Sequence, residues 1–496
     1  MLQAHGLGGA SDLPIPANLA IAGGSAALTI SFIVLLFAWR RPRYTQPLPA
    51  VGRGTNTPPA PGEADRGLSV VSADAGIRVP TPLARLVDSA GFAAGLRVLG
   101  LVFFAYTVWA AVAGPDSLIN PTFGVVFVLL WVGIVPASLL FGPFFRAVSP
   151  ARTIHLLVHR LVNRGADPAR HATRDERGQL AGLVPGHTPG RDAAPKTDGG
   201  ALGRLPGWVG YWPAAVGLLA FVWLELVYPD ANYLAPVRLW FALYLVFVVM
   251  GGLLFGTRWV ARADPFEVYS TLVGHLSVWA RRPDGTLVLA SPLRNLAGLR
   301  GEPGLVAVVA ILLGSTAFDS FRGWNFWLRF SQSTDANMVL VNTAVLVGLC
   351  VVVGVMFAAA TAATGVDQRT PRWQLPGVFA HSVVPIIVGY MVAHYLTLFV
   401  EFGQQTLIQL SDPMGTGANL LGTAGGEVNY WLSNHPTFLA STKVLAIVTG
   451  HVLGVIAAHD RALAVLPKRH HLTGQLPLLC VMVLYTFAGL YLLFGA

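Results

Sequence analysis

The chain has 496 residues, 54% of them hydrophobic and 11% charged, with a mean hydropathy of +0.59 and a formal net charge of +9. Apolar content at that level, gathered into long runs, excludes a disordered chain and an ordinary water-soluble enzyme and specifies a polytopic membrane protein. The basic excess sits in loops between the runs, where it reports topology and contact with anionic membrane lipid rather than nucleic acid.

Taken in chain order, ten runs reach spanning length, at about 17–39, 93–114, 122–146, 208–228, 236–261, 304–320, 338–363, 376–400, 437–459 and 473–494. They predict an all-α transmembrane helical bundle, a single integral membrane domain over 1–496. Pro136, Pro213 and Pro385 fall inside runs, as suits helices packed within a bundle. Residues 1–17 lack the basic stretch of a secretory signal, so the first run reads as an uncleaved anchor. Arginines cluster after the first run (Arg40, Arg41, Arg43), the third (Arg146, Arg152, Arg160, Arg164) and the fifth (Arg258, Arg262, Arg281, Arg282, Arg294, Arg300). Cytoplasmic loops hold the positive excess, so these loops are expected inside and both termini outside. The opposite loops, near Asp116, Asp230 and 402–436, carry no Lys or Arg, with Arg322 and Arg329 as the exceptions. The preference for Arg over Lys, with abundant Ala and Gly, points to a bacterial cytoplasmic membrane.

Two inner loops, 46–80 and 165–206, mix Pro, Gly and polar residues with little apolar content and are expected to be disordered. The stretches 151–162 and 266–280 repeat apolar residues at helical spacing beside Arg and His, which predicts helices lying on the inner membrane surface, with His155 and His159 solvated. The outer segment 403–436 is Gly-rich and is expected to form a loop over an outer pocket. Its Gly415-Thr416-Gly417 follows no strand and reads as turn chemistry, not a nucleotide loop. Cys350 and Cys480 lie inside runs, which leaves no disulfide framework or cysteine-rich metal site.

The eighth run carries Tyr390, His394, Thr397 and Glu401 at spacings of four, three and four, within about 60° on one helical face. Such a face must meet protein or water, and ionisable groups inside a span read first as function. Near the outer boundary this stripe is joined by Glu225, Asp319 and Lys443. Carboxylates and an imidazole suit a divalent metal such as Zn, Mn or Fe, with Glu225, Asp319, His394 and Glu401 as candidate ligands or bases and Lys443 as a stabiliser of negative charge. A buried ion-pair network is the structural alternative. His5 is a further candidate ligand. In the inner half, His381 and His451 fall at similar depth on sequential antiparallel spans and are candidates for a bis-imidazole haem site or a proton path. The aromatic residues Trp324, Phe326, Trp327, Tyr430 and Trp431 suit interfacial anchoring.

Several stretches resemble one family of bacterial membrane proteins: Ala4-His5-Gly6 with Asp12-Leu13-Pro14-Ile15-Pro16; Ser315-Thr316-Ala317-Phe318-Asp319; Ala380-His381-Ser382 with Ala393-His394-Tyr395 and Gly403-Gln404; and Gly450-His451-Val452 with Ala458-His459-Asp460-Arg461-Ala462. The family carries the label fenitrothion hydrolase. The resemblance implies hydrolysis of an apolar aryl dialkyl phosphorothioate to a nitrophenol, with a second membrane subunit as an optional partner. Two other readings stay open: a transporter or channel for a metal or other small ion, disfavoured by the lack of an internal repeat, and a haem-binding membrane subunit.

Overall fold

The computed structural model describes residues 9–44, 68–164, 203, 205–364, 371–471 and 473–495. Among the described residues, eight helices are long and apolar enough to cross a membrane: α1 (Ala17–Ala38), α2 (Ala90–Ala113), α6 (Leu234–Phe255), α8 (Leu305–Arg322), α9 (Met338–Ala362), α10 (Arg372–Gln409), α11 (Pro436–Val465) and α12 (Thr473–Phe494). Between α2 and α6 come α3, the pair Pro121–Leu130 and Ile134–Phe141 bent by 47°, α4 (Pro150–Arg164) and the shorter apolar α5 (Trp212–Leu226). The chain is thus a multi-pass membrane protein built as an all-α bundle, and each of the ten apolar runs is helical.

Burial separates core helices from lipid-facing ones. In α8 and α10, 72% of the apolar window is buried, against 11% in α2 and α9. Their sequences explain the difference, because α8 and α10 carry Ser, Thr, Asp, Tyr and His that a lipid face would not tolerate, whereas α2 and α9 are apolar almost throughout. Small residues set the closest approach. A Cβ added at Gly450 of α11 would lie 2.5 Å from Pro385 O of α10, and one at Gly454 2.7 Å from Ser382 O, so neither position has room for a side chain.

At one end of the bundle lie the arginine-bearing loops, tied together by tertiary bonds. Arg461 donates to Ala297 O (2.6 Å), His459 faces Trp39 O (2.9 Å), and Asp460 accepts from Arg43 N (2.6 Å). This arginine-rich end holds three departures from expectation. First, the stretch 266–280 does not lie on a surface. Its helical part, α7 (Pro265–Gly274), is buried at nearly every position and packs against α3, α5 and α10, with Phe266 and Tyr269 inside the aromatic core. The polar face that suggested solvent meets protein instead. Asp264 caps α7 by accepting from Phe266 N and Glu267 N, and Glu267 takes a two-pronged bond from Arg152 Nε (2.8 Å) and an NH2 group (2.6 Å). Second, His155 on α4 is only 1% exposed and is not solvated. Third, the end of the stretch 46–80 is ordered: β1 (Ser69–Val70) and β2 (Ile77–Arg78) join β3 (Trp279–Arg281) and β4 (Leu287–Leu289) in a small sheet of order β1-β3-β4-β2, parallel only between β1 and β3. The remainder of the two loops expected to be disordered lies almost wholly outside the described residues, as does His5.

At the opposite end, 403–409 continues α10 as helix, so the Gly-rich loop is shorter than expected. Asp412 accepts from Thr416 N (2.9 Å) and Gly417 N (2.6 Å), which folds the Gly415-Thr416-Gly417 turn around its own carboxylate. Gly415 and Gly417 sit at φ of 66° and 80°, where glycine is favoured.

Candidate functional site

The polar stripe of α10 points into the bundle. Tyr390, His394, Thr397 and Glu401 are 2%, 4%, 1% and 3% exposed, so the face that the spacing marked out meets protein. Opposite it, the last turns of α8 present Asp319 and Ser320. Successive residues on a helix diverge by about 100°, so these two side chains can flank one ring, and that ring is the His394 imidazole. Its Nε2 is 2.9 Å from Asp319 Oδ2, and its Nδ1 is 3.1 Å from Ser320 Oγ.

The surrounding bonds run in one consistent direction. Tyr390 OH lies 2.9 Å from Ser320 Oγ, and Tyr395 OH donates to Asp319 Oδ2 at 2.9 Å. Arg322 Nε donates to Asp319 Oδ1 at 2.9 Å, while its NH1 donates to Leu226 O at 2.7 Å. With the proton on Nε2, His394 donates to Asp319 and accepts from the Ser320 hydroxyl, and Tyr390 in turn donates to Ser320. This assignment satisfies every member at once. The Tyr390 ring stacks parallel to the imidazole at 6.3 Å and the Tyr395 ring meets it edge-on at 4.5 Å, which fixes its plane. The arrangement can move a proton from a hydroxyl to an imidazole held by a carboxylate.

Of the residues singled out in the sequence, Asp319, His394 and Tyr390 are brought together, and Glu225, Glu401 and Lys443 are not placed on the same centre. Glu225 is near, one residue before the carbonyl that Arg322 grips, with one carboxylate oxygen buried and no hydrogen-bond partner among the described residues. Glu401 is two turns further along α10, and its carboxylate accepts from Ser433 N (3.0 Å) and Ser433 Oγ (2.6 Å). A π-helical turn over Leu398–Phe402 swings it toward Ser433, away from the register that ordinary helical spacing implies. Lys443 is buried on α11 where the Ala10–Asp12 turn packs, with Asp12 as the acidic group acting on it. Among the described residues no group of three or more His, Cys, Asp or Glu lies close enough to hold a metal ion.

His381 and His451 are both buried but engage separate carbonyls. His381 Nδ1 faces Val378 O (3.1 Å) and its Nε2 faces Ala457 O (3.4 Å), while His451 Nδ1 faces Ile447 O (2.8 Å). Gly450 opposes Pro385 and Gly454 opposes Ser382, so His451 stands about one turn away from His381 instead of level with it.

Ser320 was not legible as a functional residue. Hydroxyls abound in packed spans, and its only sequence signal is adjacency to Asp319, one position beyond the stretch that carries the family resemblance. No protein-family model, curated protein or solved structure matches the chain.

Proposed function

We propose that the chain is a membrane-embedded hydrolase of apolar esters, of the aryl dialkyl phosphorothioate kind, reacting at Ser320, His394 and Asp319. The observation that carries this reading is the single imidazole bonded to a hydroxyl on one side and a buried carboxylate on the other. In the first step Ser320 Oγ bonds to phosphorus, its proton passes to His394 Nδ1, and the bond from phosphorus to the aryl oxygen breaks, releasing the nitrophenolate. Asp319 holds the resulting imidazolium. After that proton leaves for solvent or the phenolate, His394 takes a proton from water as the water oxygen bonds to phosphorus. The proton then returns to Ser320 Oγ as its bond to phosphorus breaks, giving the dialkyl phosphorothioate.

The surroundings suit such a substrate. Neutral triesters partition into the bilayer, and the rings of Phe321, Trp324 and Trp327 follow directly on the Asp319-Ser320 turn, an aromatic surface for an aryl group. A divalent metal does not fit this donor set. Asp319 already meets a guanidinium, a phenol and an imidazole, and the other imidazole nitrogen meets Ser320. We assign the protein to a bacterial cytoplasmic membrane with the arginine-rich end inside, on the strength of the arginine distribution.

The test is nitrophenol release from fenitrothion by membranes carrying this chain alone, with and without a chelator, followed by mass analysis of the Ser320 peptide. Chelator-resistant release with a dialkyl thiophosphoryl adduct on Ser320 supports the reading. Chelator-sensitive release without an adduct overturns the serine route in favour of a metal, and release only on adding a second subunit overturns self-sufficiency. A second reading, an ion or proton path, draws on the buried Glu225 oxygen that has no hydrogen-bond partner among the described residues. It requires gradient-driven uptake into proteoliposomes that Glu225→Gln abolishes. The haem reading requires a Soret band lost in His451→Ala.

A further inference from the structure

A cavity of about 1200 Å³ opens at the arginine-rich end, between α8, α9 and the start of α10. It lies at the other end of the bundle from Ser320 and does not depend on the hydrolase reading. Its walls are apolar. Val306 and Ala310 of α8 form one side, and Val347, Val351 and Val355 of α9 form the other. The three α9 valines are 37%, 54% and 60% exposed, so the slot is open sideways to the hydrocarbon of the membrane. From Val347 to Val355 is roughly 12 Å of helix, close to the ~15 Å of hydrocarbon in one leaflet.

The mouth is cationic. Arg294, Arg300 and Arg461 line it, and Glu302, the acid among the lining residues, is committed to Arg262 at 2.7 Å. Among the described residues Arg294 and Arg300 form no ion pair. Arg461 is 5% exposed, and although an NH2 group donates to Ala297 O, its Nε is buried with no hydrogen-bond partner among the described residues. A buried guanidinium with an unused donor is costly unless something supplies an acceptor. The occupant must therefore offer anionic oxygens at the mouth and a hydrocarbon chain in the slot.

We infer that this groove binds a phospholipid with an anionic headgroup, its phosphate at Arg461, Arg294 and Arg300 and an acyl chain lying between α8 and α9. Charge selects the headgroup and the open apolar wall admits the chain from the leaflet. Trp212 and Trp373 also line the groove, which gives it an optical reporter.

The experiment reconstitutes the full chain in nanodiscs of zwitterionic phosphatidylcholine and titrates phosphatidylglycerol carrying brominated acyl chains. Tryptophan quenching is read against brominated phosphatidylcholine and against the Trp373→Phe variant. Saturable quenching by the anionic lipid alone, diminished in Trp373→Phe, is expected. The Arg294→Gln/Arg300→Gln double variant, which alters only partly or fully exposed side chains, should weaken apparent affinity roughly 30-fold. Arg461→Lys keeps the charge but loses the Nε donor and should weaken it less. Equal quenching by both lipids, or an unchanged double variant, overturns the proposal. Competition by millimolar inorganic phosphate would overturn the lipid assignment in favour of a free anion.

Discussion

Two buried charge clusters lie at opposite ends of the bundle and are built differently. At the arginine-rich end Arg152 holds both oxygens of Glu267, and Arg146 stands 3.9 Å away. At the other end Asp319 gives one oxygen to Arg322 and shares the other between Tyr395 and His394. The first is a closed fork between a guanidinium and a carboxyl group, anchoring the buried α7. The second includes an imidazole whose far nitrogen reaches a hydroxyl, so a proton has somewhere to go. Burial is common to both clusters. Under the proposed hydrolase function, the imidazole held between two partners is what sets the second apart from a clamp.

Substitutions can break this contrast. His394→Ala or Ser320→Ala should lower nitrophenol release by about 10²- to 10⁴-fold while the thermal unfolding midpoint in detergent stays close to that of the parent chain. A large fall in both quantities would make the cluster a clamp like the first. Next in size, Arg152→Ala should cost roughly 3 kcal/mol of stability by leaving the buried Glu267 with only the longer Arg146 contact, and replacing Arg152 and Glu267 with Met and Leu should recover most of it. Denaturant unfolding checks this, and no recovery in the double variant would argue against a purely structural pair. Tyr395→Phe removes one donor from Asp319 and leaves Arg322 in place, so turnover should fall only about tenfold, seen in kcat.

The smallest effects concern pH. Burial, then the nearby His159 and Arg152, lowers the His155 pKa to about 4, so the unfolded chain protonates first and stability falls as pH drops from 6.5 toward 4. Asp264 behaves oppositely. Burial, then the charge of Glu267, raises its pKa from 3.8 to about 7, so stability falls as pH rises through that interval. The two slopes oppose each other over the shared range. Relative to the parent chain, His155→Gln should make stability fall more steeply with rising pH, and Asp264→Asn should make it rise, each by at most about 1.4 kcal/mol per pH unit. Denaturation midpoints measured at several pH values would show identical slopes in all three chains if neither group is perturbed.

Long apolar runs made the bundle legible, because the span length and its period are properties of the chain itself. The stripe on α10 was legible for the same reason, and all four of its residues are buried. What escaped were partnerships. Amphipathic spacing in 266–280 shows that a polar face exists but not whether water or Arg152, 115 positions before Glu267, will meet it. Glu401 parted from His394 because the π turn at Leu398–Phe402 has no signature in residue spacing. Strands of two or three residues, such as Ser69–Val70, are too short to display a period. Ser320 carried no signal beyond its neighbour.

The glycine contacts between α10 and α11 have a mechanical consequence. With Gly389, Gly450 and Gly454 bringing the two backbones together, sliding either helix past its partner would drive side chains into carbonyls. The pair therefore moves as one rigid strut, and His394 travels with α11. Under the hydrolase proposal, one opening that would admit a substrate to Ser320 is α8 rocking against that strut, in which case spin labels on α8 and α10 should separate while labels on α10 and α11 keep a fixed distance.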